Sequence, residues 1–435
     1  MSSTAAGYKF KVAICGGGIS GLCLAVALNR RCPDIKVELY EATDRFKEIG
    51  AGIMIWSRTW KIMELMGLAP ELSKIAHAPP DGSMGTGFDY RRSDQPQEGF
   101  RFHWVRMPYG CIRFHRAHFL DIFVDQLPPN VARFKMKLNS YSQSHRDGPI
   151  FLNFSDGTTS TCDILIGADG IKSTIRAQMF QEASERESRP ELLDFIKPVY
   201  TGTTTYRGLI PIKSLNSLPP NHRAIADPMM YCGKSKHVVS YSIAKGDIVN
   251  VVTFASDITK EGTQYEDGDS QWVTECPQQE LLDCYANWEP EVEQLLQRIE
   301  KPTRWAIHHL KPLPFYVDGR VALIGDAAHA MSPHQGAGAG MAIEDAFVLA
   351  HVLEHATAST LGSALEAWQK VRLPFGNHVL RGSYESGVMY EFNSDMGDNY
   401  DVLGPAIEKQ WHWVSETTPE DEVARASEYY KELSG

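Results

Sequence analysis

Three stretches of this 435-residue chain set small residues and carboxylates at the ends of apolar runs, a combination that could grip a phosphate-bearing ligand. In the first, "KVAICGGGISGLCLAVAL", Gly16, Gly18 and Gly21 stand at G-x-G-x-x-G spacing. Gly16 permits a tight turn, Gly18 lets the backbone approach a pyrophosphate, and Gly21 lets a helix pack close to its strand. The helix N-terminus then offers free N–H groups and a partial positive charge to the phosphates. Twenty residues after Gly21 the run "IKVELYE" ends in Glu41, a carboxylate placed to accept hydrogen bonds from a ribose and to repel a 2′-phosphate. The glycine spacing alone describes any glycine-rich turn. The strand–turn–helix–strand setting makes it a dinucleotide site.

The second stretch, "CDILIGADGIKSTIR", is an apolar strand ending in Gly167, Asp169 and Gly170, followed by Ser173 and Arg176. The third, "RVALIGDAAHAMSPHQGAGAGMAIEDA", ends a strand in Gly325 and Asp326 and then enters a helix through Pro333, His334, Gly336, Gly338, Ala339 and Gly340. Each alone could be an ordinary turn. Together they predict three points of contact along one long ligand.

The elements that must position these residues follow from periodicity. Up to about residue 76 the chain alternates strand and helix as a βαβ unit does. Residues 77–108 are polar and rich in Gly and Pro and read as an excursion outside the core. "PIFLNFSDGTTSTCDILIGADG" predicts a hairpin with an Asp-Gly turn and then a buried strand. Between 198 and 255 the pattern changes to strands, with "KHVVSYSIA" and "DIVNVVTFA" forming a hairpin around a Lys-Gly turn. "QQELLDCYANWEPEVEQLLQRI" is helical, and "IEDAFVLAHVL" is a core-packing helix. The tail beyond 392 is polar and helical near its end.

The chain carries a net charge of −11, which makes nucleic acid and anionic lipid poor partners. An anionic substrate must therefore meet locally placed Arg or Lys. Eight cysteines are scattered without C-x-x-C or zinc-ligand spacing, and Cys15 and Cys23 read as buried thiols, which suits a reducing, cytoplasmic setting. The start "MSSTAAGYKF" lacks a signal-peptide core, and no apolar run reaches membrane length. His308 and His309 have no further ligands at suitable spacing, so no metal is expected.

The motif set resembles the flavin-dependent aromatic hydroxylases, the single-component monooxygenases that include p-hydroxybenzoate hydroxylase, and within them the salicylate hydroxylase branch. The resemblance runs from Lys11 to about Phe392. It implies an α/β fold: a Rossmann-like FAD-binding domain over 8–76, 109–188 and 304–392, a β-sheet substrate domain over 77–108 and 189–303, and a C-terminal helical tail over 393–435. It implies FAD held by Gly16, Gly18, Gly21 and Glu41 at the ADP half and by Asp326 at the ribityl chain. Arg116, at the start of "RAHFLDIF", is implied to touch the phosphates or ribityl group. Asp169 and Gly170 are implied to lie near FAD and the reduced nicotinamide cofactor. The backbone of Gly336, Gly338 and Ala339 is expected to face the flavin, where a helix N-terminus favours its anionic reduced form. With one strand–GxGxxG–helix unit in the sequence, NADH or NADPH is expected as a transient reductant.

The substrate side follows from alternation. Arg207 shares a strand face with Thr203 and Thr205, while Tyr241 shares one with Val239 and His237. The resemblance puts Arg207 and Tyr241 beside a small aromatic substrate, with Arg207 pairing a carboxylate or phenolate. Pro333 and His334 lie in the loop beside the flavin and complete the candidate catalytic set. His329 reads as scaffold. The implied reaction is O2-dependent hydroxylation of a phenol or hydroxybenzoate through a flavin C4a-hydroperoxide, with CO2 lost if the attacked carbon bears a carboxylate, as in salicylate to catechol. The alternatives are a monooxygenase of another hydroxybenzoate or a polyketide phenol, a non-hydroxylating FAD oxidoreductase, and a binding protein on the FAD fold. A monomer or homodimer is expected.

Overall fold

The computed structural model describes residues 7–46, 52–77, 81–143, 148–215, 222–265 and 271–435. Its first sheet has six strands in the order Val317–Asp318, Val321–Leu323, Ile164–Gly167, Lys11–Cys15, Lys36–Tyr40 and Ala132–Arg133. All neighbours are parallel except the first pair. Helices and a three-stranded antiparallel sheet (Leu138–Gln143, Ile150–Phe154 and Thr159–Cys162) pack on it, so the central strands are continuous apolar runs: Val12–Cys15, Ile164–Ile166 and Val321–Leu323 are buried throughout. The registers Cys15↔Gly167, Gly167↔Leu323 and Cys15↔Tyr40 bring four strand ends level. The residues that follow, at Gly16, Glu41, Ala168 and Ile324, therefore open at one carboxyl edge, where an open parallel sheet takes its ligand.

The helix Ile19–Arg31 is buried from Ile19 to Leu28, and Gly338–Glu354 is buried along most of its length. They pack on each other across this edge, and their N-termini both point to it.

The second sheet has eight strands in the order Val273–Glu275, Thr303–His309, Val199–Pro211, Ile248–Ser256, Lys236–Ile243, Met229–Gly233, Met84–Arg92 and Phe100–Pro108. The predicted Lys-Gly hairpin is present, pairing Lys236–Ile243 with Ile248–Ser256. One face packs Tyr206, Val238 and Val251 against the helices Gln278–Cys284 and Pro290–Leu296. The other faces the first sheet's carboxyl edge. The segment 77–108 is not the excursion its composition predicts. Two of its stretches are strands of this sheet, and Phe88, Tyr90, Val105 and Met107 are buried. Gly82, Pro96 and Gly99, which obscured the pattern, lie outside the two strands, Gly87 sits at a bulge, and Pro79 and Pro80 fall outside the described residues.

The predicted helix "QQELLDCYANWEPEVEQLLQRI" is two helices, broken where Asn287 takes φ +65°. At the C-terminus, Leu361–Tyr390 is a long helix, followed by Tyr400–Lys409, Trp413–Glu416 and Pro419–Ser434. The tail is more buried than its polarity predicts: Leu403, Ile407, Trp411, Trp413 and Ala426 are all in the core.

Candidate active site

The three motifs converge. A cavity of about 480 Å³ is lined by Gly18 and Ser20 of the first, Ala168 and Gly170 of the second, and Asp326, Pro333, Gly336, Gly338 and Ala339 of the third. Arg116, at the N-terminus of helix Arg116–Val124, joins them. A second cavity of about 460 Å³ continues past Gly18, Ala168 and Gly170 to Gly16, Glu41 and Asp169. The two share those lining residues and form one groove.

Local chemistry explains each wall. Gly16 sits at φ +112°, and a Cβ there would lie 2.1 Å from the Ala168 carbonyl oxygen. A Cβ on Gly21 would lie 1.9 Å from the Gly16 carbonyl, so only glycine lets helix and strand close. Gly18 and Gly338 are different: a Cβ on either meets no atom of the described residues within 4 Å. Glu41 accepts from the Gly17 N–H at 2.8 Å and the Thr43 N–H at 2.7 Å, which fixes its carboxylate at the groove edge.

Asp169 has a structural task as well. Its Oδ2 accepts from the Thr174 and Ile175 N–H groups at 2.8 and 3.2 Å, capping the helix Thr174–Glu187 together with Ser173. Its Oδ1 is buried without a partner, and burial raises its pKa. Arg176, fully buried, donates to Ile171 O at 2.5 Å and Ala327 O at 2.9 Å, clipping the second motif to the third.

The second sheet roofs this cavity with Arg207, Val239, Tyr241, Asn250, Val252 and Phe254. Arg207 lies over the Trp305 ring, 4.3 Å from its centroid, and its Nε is buried without a hydrogen-bond partner among the described residues. Burial lowers its pKa, and burial raises that of Tyr241, against the opposing pull of Arg207 and Arg113. His334 stands apart from the other predicted residues. Its ring is buried behind Phe254, 5.1 Å from that ring and 5.2 Å from His237, and burial pushes its pKa down to about 3. Pro333 and Gly336 line the cavity on either side of it.

Several polar residues of the site carry no local sequence signal. Asn250, inside the apolar strand "DIVNVVTFA", accepts from the Gly52 N–H at 3.2 Å, while its Nδ2 is buried and unpartnered. Arg113 is buried with Nε and Nη1 unpartnered. Gln335 is fully buried: its Nε2 donates to Ser386 Oγ at 3.0 Å and Gln410 O at 2.9 Å, and its Oε1 accepts from Trp413 Nε1 at 3.1 Å. Trp56 Nε1 donates to its carbonyl at 3.0 Å. These bonds hold the turn that leads to Gly336.

A long groove across level strand ends suits FAD. Glycines leave space where phosphates and an isoalloxazine would lie, a helix N-terminus stands at each end, and the residues present fit that group. Fold and site define an FAD-dependent monooxygenase. A family profile described as "FAD binding domain" matches residues 9–197 and 289–383, and the chain belongs to that family.

Salicylate hydroxylase of Pseudomonas putida is 36% identical over 424 residues, covering 96% of this chain and 94% of that protein. The 6-methylsalicylate 1-monooxygenase of Aspergillus terreus is 33% identical over 397 residues, covering 88% of this chain and 84% of that one. A solved structure described as a salicylate hydroxylase substrate complex superposes with a TM-score of 0.85 at 31% identity, covering 97% of this chain and 98% of its own. The fold is accordingly the p-hydroxybenzoate hydroxylase-like one. Among the described residues, no helix is long and apolar enough to cross a membrane.

Proposed function

We propose that this monooxygenase hydroxylates a small phenolic acid of the hydroxybenzoate class, with NADH or NADPH as transient reductant. Decarboxylation accompanies the reaction when the attacked carbon carries the carboxylate, as in salicylate to catechol. One observation carries the reading. Two cations whose Nε atoms are buried and have no hydrogen-bond partner among the described residues, half-buried Arg207 and buried Arg113, act on Tyr241 at the cavity roof, whereas Asp326 is the lone carboxylate among the described lining residues. An uncompensated buried guanidinium is costly, and an anionic substrate relieves that cost.

The division of labour follows. Bound FAD supplies electron transfer and O2 activation, chemistry that no side chain here can provide. Gly16, Gly18, Gly21 and Glu41 hold its ADP half, and Arg116, Asp326, Gly336, Gly338 and Ala339 hold its flavin half. Arg207 pairs the substrate's anionic oxygen and favours the ionised, electron-rich phenol. Tyr241 stays protonated at neutral pH because it is buried, so it donates to the phenolic oxygen. Asn250 Nδ2 adds a second donor. Val239, Val252, Phe254 and Met331 exclude water from the reacting face. Pro333 shapes the loop, and His334 supports it from behind Phe254.

The same reading divides the chain into the FAD-binding segments 8–76, 109–188 and 304–392, a substrate domain over 77–108 and 189–303, and the tail 393–435. All eight cysteines are free, in keeping with a reducing cytoplasm. The deciding experiment follows NADH and NADPH oxidation on a panel of hydroxybenzoates, including salicylate and 6-methylsalicylate, with product analysis, labelled O2 and peroxide detection. Substrate-stimulated oxidation with label in the product is expected. Oxidation that yields only hydrogen peroxide on every panel member overturns the proposal.

A further inference from the structure

The C-terminal helix Pro419–Ser434 carries a carboxylate into the protein interior. Glu422 is 2% exposed, and each of its oxygens takes an arginine, Oε1 from Arg58 and Oε2 from Arg372. Both arginines also bond Glu344 Oε2, at 3.0 and 3.1 Å. Arg372 Nε then reaches Asp345 Oδ1 at 2.9 Å. The other oxygen of Asp345 accepts from the Gly325 N–H at 3.0 Å and pairs with His329 Nε2 at 2.6 Å. Gly325 is at φ +58°, and a Cβ there would lie 2.8 Å from Ser20, so this turn favours glycine. Asp326, the next residue, lines the flavin cavity.

We infer that Glu422 is a positioning residue for the flavin, acting through Arg372 and Asp345 on the Gly325–Asp326 turn. The inference rests on FAD binding. Arg372 is gripped from two sides, by Glu422 and Glu344 at Nη1 and by Asp345 at Nε. Buried charges of this kind are held by partners rather than by solvent, so loss of one partner moves the guanidinium toward the other. With Glu422 neutral, Arg372 keeps only Glu344 at Nη1 and recentres toward Asp345, which displaces the carboxylate that accepts from the Gly325 N–H. The last helix of the chain thereby sets the geometry of a turn far from it in sequence.

Coupling of this kind is reciprocal, which provides two independent tests. In the first, Glu422→Gln is compared with Asp421→Asn. Asp421 belongs to the capping box of the same helix, with Thr418, and makes no hydrogen bond to the buried charges among the described residues, meeting Arg58 only through a weak coulombic pull. Glu422→Gln is expected to raise the FAD Kd of the apoprotein about tenfold, read by flavin fluorescence, and to shift the bound flavin's absorption and reduction potential. Asp421→Asn is expected to lower Tm with an unchanged Kd. If both variants lower Tm and neither changes Kd or the potential, the inference fails. The second test uses the wild-type protein and holds even if Glu422→Gln does not fold: FAD should slow hydrogen exchange of amides in residues 419–434. Exchange there that is identical with and without FAD overturns the inference.

Discussion

Arg207 lies over the Trp305 ring with its guanidinium carbon 4.3 Å from the centroid, while its Nε faces no acceptor among the described residues. The stack holds a planar cation at the roof of the flavin cavity without consuming its hydrogen bonds. Arg207→Ala is expected to weaken binding of a hydroxybenzoate by about 2–3 kcal/mol, the worth of a charged hydrogen bond. FAD affinity should stay within about twofold if, as proposed, the residue meets the substrate rather than the cofactor. Stopped-flow flavin reduction with and without substrate measures the effect. Unchanged substrate stimulation removes Arg207 from the mechanism.

Gly16 and Gly18 should separate folding from binding. At Gly16 a Cβ collides with Ala168 O and φ is +112°, so Gly16→Ala should cost about 3 kcal/mol or more of stability. At Gly18 the Cβ enters the groove and meets no atom of the described residues within 4 Å. Gly18→Ala should therefore unfold at the wild-type urea midpoint while binding FAD more weakly. Wild-type FAD affinity in that variant would show that the cofactor's phosphates lie elsewhere.

Gln335 joins the flavin-side turn to the C-terminal helices through Ser386, Gln410 and Trp413. Gln335→Leu keeps the volume but leaves these buried partners unsatisfied, at a cost of about 3 kcal/mol. Gln335→Glu should be worse, since it faces the Gln410 carbonyl with a second acceptor. Urea unfolding of the two variants, with FAD Kd alongside, tests both statements.

Three buried groups that pack on one another contribute to the acid response. Burial pushes His237 and His334 from an ordinary 6.5 down to about 3, and burial pushes Glu391 from 4.5 up to about 7. Between pH 6.5 and 3 each histidine is neutral when folded but protonated when unfolded, so stability falls with pH by about 1.4 kcal/mol per unit and per histidine. Between 7 and 4.5 Glu391 works the other way, because the folded carboxyl keeps a proton that the unfolded one releases. It therefore offsets one histidine over most of that range. Glu391→Gln should be more stable than wild type above pH 7 and should lose stability more steeply on acidification. Urea unfolding from pH 5 to 8.5 measures both slopes, and a pH-independent difference between the two proteins excludes this account.

The motif glycines, the continuous apolar strands and the Lys-Gly hairpin were legible in the sequence because their causes are local. A turn at positive φ, a helix that closes on a carbonyl, and a strand buried on both faces each leave a short-range pattern. What only the tertiary structure decided are partnerships between residues hundreds of positions apart. Arg58 and Glu422 are separated by 364 residues, and neither arginine nor glutamate shows from its neighbours that it will be buried. The same holds for Asn250, Arg113 and Gln335. It holds also for His334, which the motif places beside the flavin and the packing of Phe254 sets behind the wall. Steric rules act within a few residues and can be read along the chain. Desolvation and charge pairing depend on what the rest of the chain brings near, and are settled only when the sheets and the last helix close.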